Sequence, residues 1–361
     1  DYLNGPHVEI RGPSKKNFTV KFINEETNVL VFQDSIPSNH YSKAHAEHYV
    51  KWKTEIYSDG KIIKKDILDL KGQPVQITFE SSALGDNVCW IPYVEEFRKM
   101  HQCIVYCATF HNHLFTTEYP KIHFVNRRQK KSGVIANYKI GWFGKGEKSN
   151  RNPVDCRTIP LQELPCSILK VPYKEIRPKV KHDTRKPILR EEKYVVISTC
   201  STAQAKYWNR SGAWQELINW LAKTGYKVVN IGREKNKFSN VIDRSGMKTI
   251  TDITNIIQNA EFFIGISSGL TWLAWALGKK AVMISGFTAP WFEFQENNYR
   301  VHNKDVCHSC FSNPKYGFNR GDWMWCPVHK NTSKQFICTK SITVEIVQQK
   351  ILELQKDLKN G

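Results

Sequence analysis

The stretch Ser267-Ser268-Gly269-Leu270 has the residue types of an anion-binding turn. It follows a short apolar run at 262–266, with β-branched Ile264 and Ile266, as a buried strand would have. It precedes a longer apolar run at 270–277, dense enough for a buried helix, and Gly278 stands where a helix stops. Residues 281–284 read as the next strand, so the whole is a parallel-sheet unit of strand, tight turn, helix and strand. Such a turn brings backbone N–H groups, two hydroxyls and a helix N-terminus to the carboxyl edge of a sheet, which suits a phosphate or diphosphate. Small residues that merely fit a tight turn would produce the same sequence, so both readings stand at this point.

A second chemistry is carried by sulfur. Cys307 and Cys310 form a C-x-x-C pair, and Cys326 and Cys338 follow singly. Four thiolates at these spacings predict one tetrahedral metal ion, zinc or iron, with His308 and His329 as substitutes if one cysteine is not a ligand. The knuckle is far in sequence from acid–base groups, so its expected role is structural. The other six cysteines (89, 103, 107, 156, 166 and 200) lie mostly in apolar runs and read as reduced core residues of a cytoplasmic protein.

Two further small-residue turns precede helices. A strand at 75–79 runs into Glu80-Ser81-Ser82-Ala83-Leu84-Gly85-Asp86, after which Val88, Ile91, Val94 and Phe97 recur with helical spacing. Asp86 is therefore a carboxylate at a helix start, and by position alone an N-cap. A strand at 194–199 leads through Cys200, Ser201, Thr202 and Lys206 to Trp214, Leu217, Ile218 and Leu221, an amphipathic helix ended by Gly225. Residues 227–231 form a strand followed by Gly232, Arg233 and Glu234, and a short helix is expected at 253–259.

Around these units the chain organises into three parts. Residues 1–72 read as a small β-barrel or sandwich, with strands at 7–10, 18–23, 29–32, 52–57 and 62–68 separated by polar turns. No catalytic residues stand out there, so docking or assembly is the expected role. Residues 73–180 and 181–361 form two Rossmann-like halves, the second carrying the knuckle at 307–338 and a closing helix at 344–358. Residues 138–151, rich in Gly and Lys, read as a mobile loop, and the basic, Pro-containing segment 177–190 as a linker.

Composition narrows the partners. At 361 residues the chain can bury two or three cores, and its net charge of +19 fits a nucleic acid, a membrane surface or a phosphorylated substrate. The basic residues are spread along the chain, which equally fits a Lys-rich surface. No run approaches the ~18 apolar residues of a membrane helix. No signal peptide is visible, and a start at Asp1 without methionine leaves room for an upstream segment.

Two α/β halves with small-residue turns resemble the two-domain GT-B glycosyltransferases. FESSALGDNVCWIPYVEEF, STAQAKYWNRSGAWQELINWL and AEFFIGISSGLTWLAWALG resemble ADP-heptose glycosyltransferases, and most closely the bacterial autotransporter heptosyltransferases. The likeness extends from His7 to about Leu358. It implies a cytoplasmic, oligomeric, inverting enzyme that transfers heptose from ADP-heptose to serines of adhesin passenger domains. It also implies an N-terminal β-barrel and iron in the four-cysteine site. Residue by residue, it implies Asp86 as catalytic base, Lys206 on the donor phosphates with Ser201 and Thr202 nearby, and Ser267, Ser268, Gly269 and Leu270 as the diphosphate turn. Lipopolysaccharide heptosyltransferases usually carry Asp and Thr at the two serine positions, so the departure fits the protein-modifying branch. Glu234, past the second strand of its unit, is placed for a ribose.

Inverting transfer needs a base for the acceptor hydroxyl and positive or dipolar groups for the leaving diphosphate. No D-x-D pair for a catalytic divalent ion is present, so the lysine and the helix N-terminus take that work. Another nucleotide sugar, a lipid, lipopolysaccharide or DNA acceptor, and a non-catalytic nucleic-acid-binding protein remain open at this stage.

Overall fold

The computed structural model describes residues 1–13, 16–129, 131–142, 151–189, 193–235, 237–247 and 249–360. They divide into two compact units. The first comprises Asp1–Ser82, Trp90–Cys156 and Glu163–Lys174; the second comprises Ala83–Cys89, Arg157–Gln162 and Glu175–Gly361.

The first unit begins with β1 (His7–Ile10), β2 (Asn17–Asn24), β3 (Val29–Pro37), β4 (His40–Lys43), β5 (Trp52–Ser58) and β6 (Lys61–Ile67). Four of these form an antiparallel sheet in the order β3-β2-β5-β6, while β1 and β4 pair separately. Alternation puts Val20 and Phe22 of β2, with Trp52, Thr54 and Ile56 of β5, on a buried face. The sheet is open: β3 and β6 are its edges, and no pairing among the described residues joins them. The strands expected at 7–10, 18–23, 29–32, 52–57 and 62–68 are present, but a closed barrel is not. The extra strand β4 pairs with β1 rather than continuing the sheet.

An all-parallel sheet completes this unit. It is built from β7 (Pro74–Phe79), β8 (Ile104–Ala108), β9 (Ile122–Phe124) and β10 (Ala136–Ile140), in the order β10-β7-β8-β9. The helix α1 (Leu84–His101) follows β7, and α2 (Glu163–Leu169) lies near the end of the unit. The loop expected over 138–151 starts inside β10, where Tyr138 and Ile140 are buried. Its residues 143–150 lie outside those described.

The second unit contains β11 (Tyr194–Ser198), α3 (Ala213–Lys223), β12 (Lys227–Asn230), β13 (Ile242–Asp243), α4 (Ile250–Gln258), β14 (Phe263–Ile266), α5 (Gly269–Ala276), β15 (Ala281–Ile284), β16 (Asn298–Val301), α6 (Ile337–Lys340) and α7 (Val344–Lys359). Its six strands are parallel in the order β13-β12-β11-β14-β15-β16. Counted within the unit this is 3-2-1-4-5-6, the doubly wound order of dinucleotide-binding sheets. Every residue of β11, β14 and β15 is buried, as expected for strands covered on both faces. The amphipathic stripe Trp214, Leu217, Ile218 and Leu221 of α3 shares one core with Val347, Ile351 and Leu354 of α7.

The basic stretch 177–189 has no regular secondary structure but is tied down. Arg185 bridges Asp183 and Asp252 at 2.7 Å each, and the Ile188 amide donates to Asn255 at 2.9 Å.

Candidate active site

The second sheet reverses direction of growth between β11 and β14, and ligand crevices open beyond the carboxyl ends of strands at such a point. The β11 turn carries Ser201, Thr202 and Lys206; the β14 turn carries Ser267, Ser268 and Gly269. In register, Ser198 lies beside Gly265, so the two turns leave the sheet at the same level. Ser268 takes the N-cap position of α5 in an extended conformation, yet its hydroxyl makes no capping hydrogen bond. That Oγ is buried and has no partner among the described residues. A buried hydroxyl left unpaired at the positive end of a helix is a ready contact for an anion.

Asp86 is brought to this edge by a contact between glycines. A Cβ on Gly85 would lie 3.0 Å from Gly269 Cα and 3.3 Å from the Trp272 ring. A Cβ on Gly269 would lie 2.7 Å from Gly85 N. The first turns of α1 and α5 are thus in backbone contact, an approach that leaves no room for a side chain on Gly269 and little on Gly85. Asp86 is the third residue of α1 and buried, at 8% exposed. It therefore lies within the first turn and is not the N-cap that position in the sequence suggests. Both helices present N-terminal dipoles where Asp86 and Ser268 sit.

Lys206 closes a single 3-10 turn, Gln204–Lys206. Its Nζ lies 5.5 Å from the centre of the Phe287 ring. The residue is half-buried, but desolvation of the ammonium lowers its pKa, and the charges opposing that shift are Asp86 and then Glu293. The structure thus gathers Asp86, Lys206 and the 267–269 turn.

Glu293 has no counterpart in the sequence reading. Its carboxylate accepts hydrogen bonds from Ser267 Oγ, from Thr288 Oγ1 at 2.8 Å and from Arg300 Nη1 at 2.5 Å. Ser267 therefore anchors the turn from behind, and Ser268 keeps the unpaired hydroxyl. The signal for Glu293 in sequence is only an isolated acid in an aromatic segment, which no motif marks.

The remaining predicted donor residues are peripheral. Ser201 is half-buried, with its carbonyl accepting from Tyr207 Oη at 3.3 Å, and Thr202 is exposed. Leu270 is half-buried on the first turn of α5. Glu234 is exposed, but it and Cys200 both act on Tyr207, whose hydroxyl pKa burial pushes up to about 12. Glu234 follows Asn230, the last residue of β12, beyond that strand's carboxyl end.

The four knuckle cysteines are neighbours. Cys307 and Cys310 Sγ atoms lie 3.8 Å apart. That is about the sulfur–sulfur edge of a tetrahedron with metal–sulfur bonds of about 2.3 Å. Cys310 and Cys338 are each pushed up to about 12, first by burial and then by the other knuckle cysteines. Thiols that raise one another in this way need a cation before all can ionise. A cavity of about 20 Å³, room for one small sphere, is lined by Cys310, Cys326, Cys338 and Ala205 among others. Even so, among the described residues no three His, Cys, Asp or Glu side chains converge closely enough to form a metal centre as they stand.

The knuckle is also less remote than the sequence suggests. Gln204 N donates to Trp323 O at 3.1 Å, and Asn209 Nδ2 to Thr339 Oγ1 at 3.0 Å, so the segment carrying Lys206 is bonded to the knuckle region.

Residues 169–315 match the family described as Glycosyltransferase family 9 (heptosyltransferase). The chain is 34% identical to the autotransporter heptosyltransferase Aah of Escherichia coli, over 100% of this chain and 94% of that protein. The crystal structure of iron-containing dodecameric glycosyltransferase TibC from enterotoxigenic E. coli H10407 superposes with a TM-score of 0.91 at 30% identity, covering 99% of this chain and 95% of TibC. TibC has also been solved in complex with ADP-D-beta-D-heptose, with a TM-score of 0.90, the same identity and the same coverage. An inactive autotransporter heptosyltransferase, BimC of Burkholderia thailandensis, is 29% identical over 93% of this chain and 81% of its own length. The chain belongs to the autotransporter heptosyltransferase family of glycosyltransferases.

Proposed function

We propose that this protein transfers heptose from ADP-heptose to serine hydroxyls of an autotransporter adhesin passenger domain, with inversion at the anomeric carbon. The observation that carries the proposal is the backbone contact of Gly85 with Gly269, which joins the first turns of α1 and α5 beside Lys206. Asp86 takes the proton of the serine hydroxyl as its oxygen bonds to the anomeric carbon. The bond from that carbon to the diphosphate oxygen breaks, and its electron pair leaves with ADP. Lys206 and the N-terminus of α5, with Ser268, hold the diphosphate and stabilise the charge developing on it. Ser267 shapes that turn, Gly269 permits its approach, Leu270 begins the helix, Ser201 and Thr202 flank the phosphates, and Glu234 reaches the ribose.

Cys307, Cys310, Cys326 and Cys338 hold one structural iron ion. The soft thiolate set and the 3.8 Å spacing of the first pair support a tetrahedral ion, and the iron in TibC supports its identity. The dodecamer of TibC likewise supports a high-order homo-oligomer. Residues 1–72 serve acceptor docking or assembly. A cytoplasmic location is part of the proposal. No helix among the described residues is long and apolar enough to cross a membrane.

One observation favours a second reading: BimC shows that the family includes an inactive member. Intact-mass analysis of a passenger domain, after incubation with ADP-heptose and with other nucleotide sugars, separates the two. The proposal expects mass increments of one heptosyl unit with ADP-heptose. No increment with any donor would favour the inactive reading, and an increment with another sugar alone would reject the donor.

A further inference from the structure

The carboxylate of Glu293 is among the most enclosed charges in the second unit. Its side chain is 1% exposed and that of its partner Arg300 is 9% exposed. Charges so placed cost solvation energy and persist only when paired and hydrogen-bonded. Both oxygens of Glu293 are engaged. Oε1 accepts from Ser267 Oγ and Thr288 Oγ1, and Oε2 from Arg300 Nη1. Arg300 is fixed in turn, with Nη2 donating to Thr288 O at 2.9 Å and to Thr288 Oγ1 at 3.0 Å. The cluster therefore has one orientation.

Of its outward connections, Ser267 leads to the donor turn, while Thr288 also meets Ser285 Oγ at 3.2 Å and accepts from Ser309 Oγ at 3.3 Å through its carbonyl. Ser267 is the residue between the end of β14 and the N-cap Ser268, so fixing its hydroxyl fixes where the first N–H groups of α5 aim. The charge of Glu293 also acts on Lys206, less strongly than that of Asp86.

We infer that Glu293, held by Arg300, is a positioning residue for the donor diphosphate, setting the helix N-terminus through Ser267. Resting on the donor-site reading above, it adds that the diphosphate cradle is built from behind by a carboxylate that never touches the nucleotide. Preorganised donors act without reorganising during the reaction, and such anchoring supplies that condition.

The test uses the full-length protein with ADP as the probe. Glu293→Gln removes the charge; the pair Glu293→Gln with Arg300→Gln avoids stranding the arginine; and Ser267→Ala removes one hydrogen bond with little risk to folding. ADP dissociation constants by calorimetry, KM for donor and acceptor, and melting temperature are measured in each, with and without Lys206→Ala. The expected result is an ADP affinity about tenfold or more weaker in the folded Glu293 variants and a smaller loss in Ser267→Ala. Donor KM rises and acceptor KM is unchanged. Wild-type ADP affinity in the folded variants would overturn the inference. So would equal rises in donor and acceptor KM, since a merely structural role moves both alike. If Lys206→Ala itself leaves ADP binding unchanged, the donor-site reading fails instead.

Discussion

Gly85 and Gly269 face each other so closely that Gly269 has no room for a side chain: a Cβ there would fall 2.7 Å from Gly85 N and 3.2 Å from Leu84 Cβ. The contact holds the first turn that carries Asp86 against the helix proposed to receive the diphosphate. Gly269→Ala should push the two turns apart, at a cost of about 1–3 kcal/mol in stability. Transferase rate should fall more steeply than the melting temperature implies, because reacting groups lose alignment with small displacements. Thermal unfolding and rate measured on one preparation check this; a full rate with a lowered melting temperature would make the contact structural only.

Lys206 should contribute to ADP binding as a charge-assisted contact. Lys206→Ala should weaken ADP affinity by about 1.5–3 kcal/mol, roughly 10- to 150-fold. Because burial lowers the pKa of Lys206 below that of a free lysine, its charged form, and with it part of the ADP affinity, should be lost at a lower pH than 10.5. Calorimetry across neutral to alkaline pH checks the sign: affinity should fall as pH rises in the wild type, and this component should be missing in the variant.

Metal at the knuckle should be detected as about one ion per chain by elemental analysis, and neither iron nor zinc near unit stoichiometry would contradict the four-cysteine assignment. Chelation, or Cys310→Ser, should lower the melting temperature. The bonds from Trp323 and Thr339 to the segment around Lys206 extend the expectation further than sequence distance suggests. ADP affinity should weaken together with stability.

The open edges of the N-terminal sheet expose Val31 on β3 at 48% and Ile63 on β6 at 56%. Unpaired edges can accept another strand, and lysines there discourage it. Val31→Lys with Ile63→Lys should leave ADP affinity unchanged while lowering acceptor glycosylation or assembly. Mass analysis of the acceptor and size-exclusion chromatography read both; wild-type values in each would remove these edges from function.

Much of the fold was legible because it rests on local pattern. The alternation in 18–23 and 52–57, the stripe Trp214, Leu217, Ile218 and Leu221, and the apolar runs at 262–284 all became the elements they predict. What escaped depends on long-range pairing. Residues 138–140 read as the start of a Gly- and Lys-rich loop, and only β7 alongside makes them part of a strand. The barrel did not close because sequence shows strands but not which neighbour each will take. At the site, Gly85, Asp86 and the 267–269 turn were visible as small-residue turns before helices. Asp86 as an N-cap was not upheld, because α1 begins two residues before it. Glu293 was hidden because it meets Ser267 from 26 residues away, with no spacing rule to connect them.

The central claim is that Asp86 removes the proton from the acceptor serine, and Asp86→Asn tests it most directly. Asparagine keeps the shape of the side chain and most of its hydrogen bonding but cannot take up the proton. The measurement is the rate of heptose transfer to a passenger domain, taken alongside melting temperature and ADP affinity. The account predicts a loss on the order of 10²-fold or more in rate with the other two nearly unchanged. An Asp86→Asn enzyme that retains most of its transferase activity would contradict it.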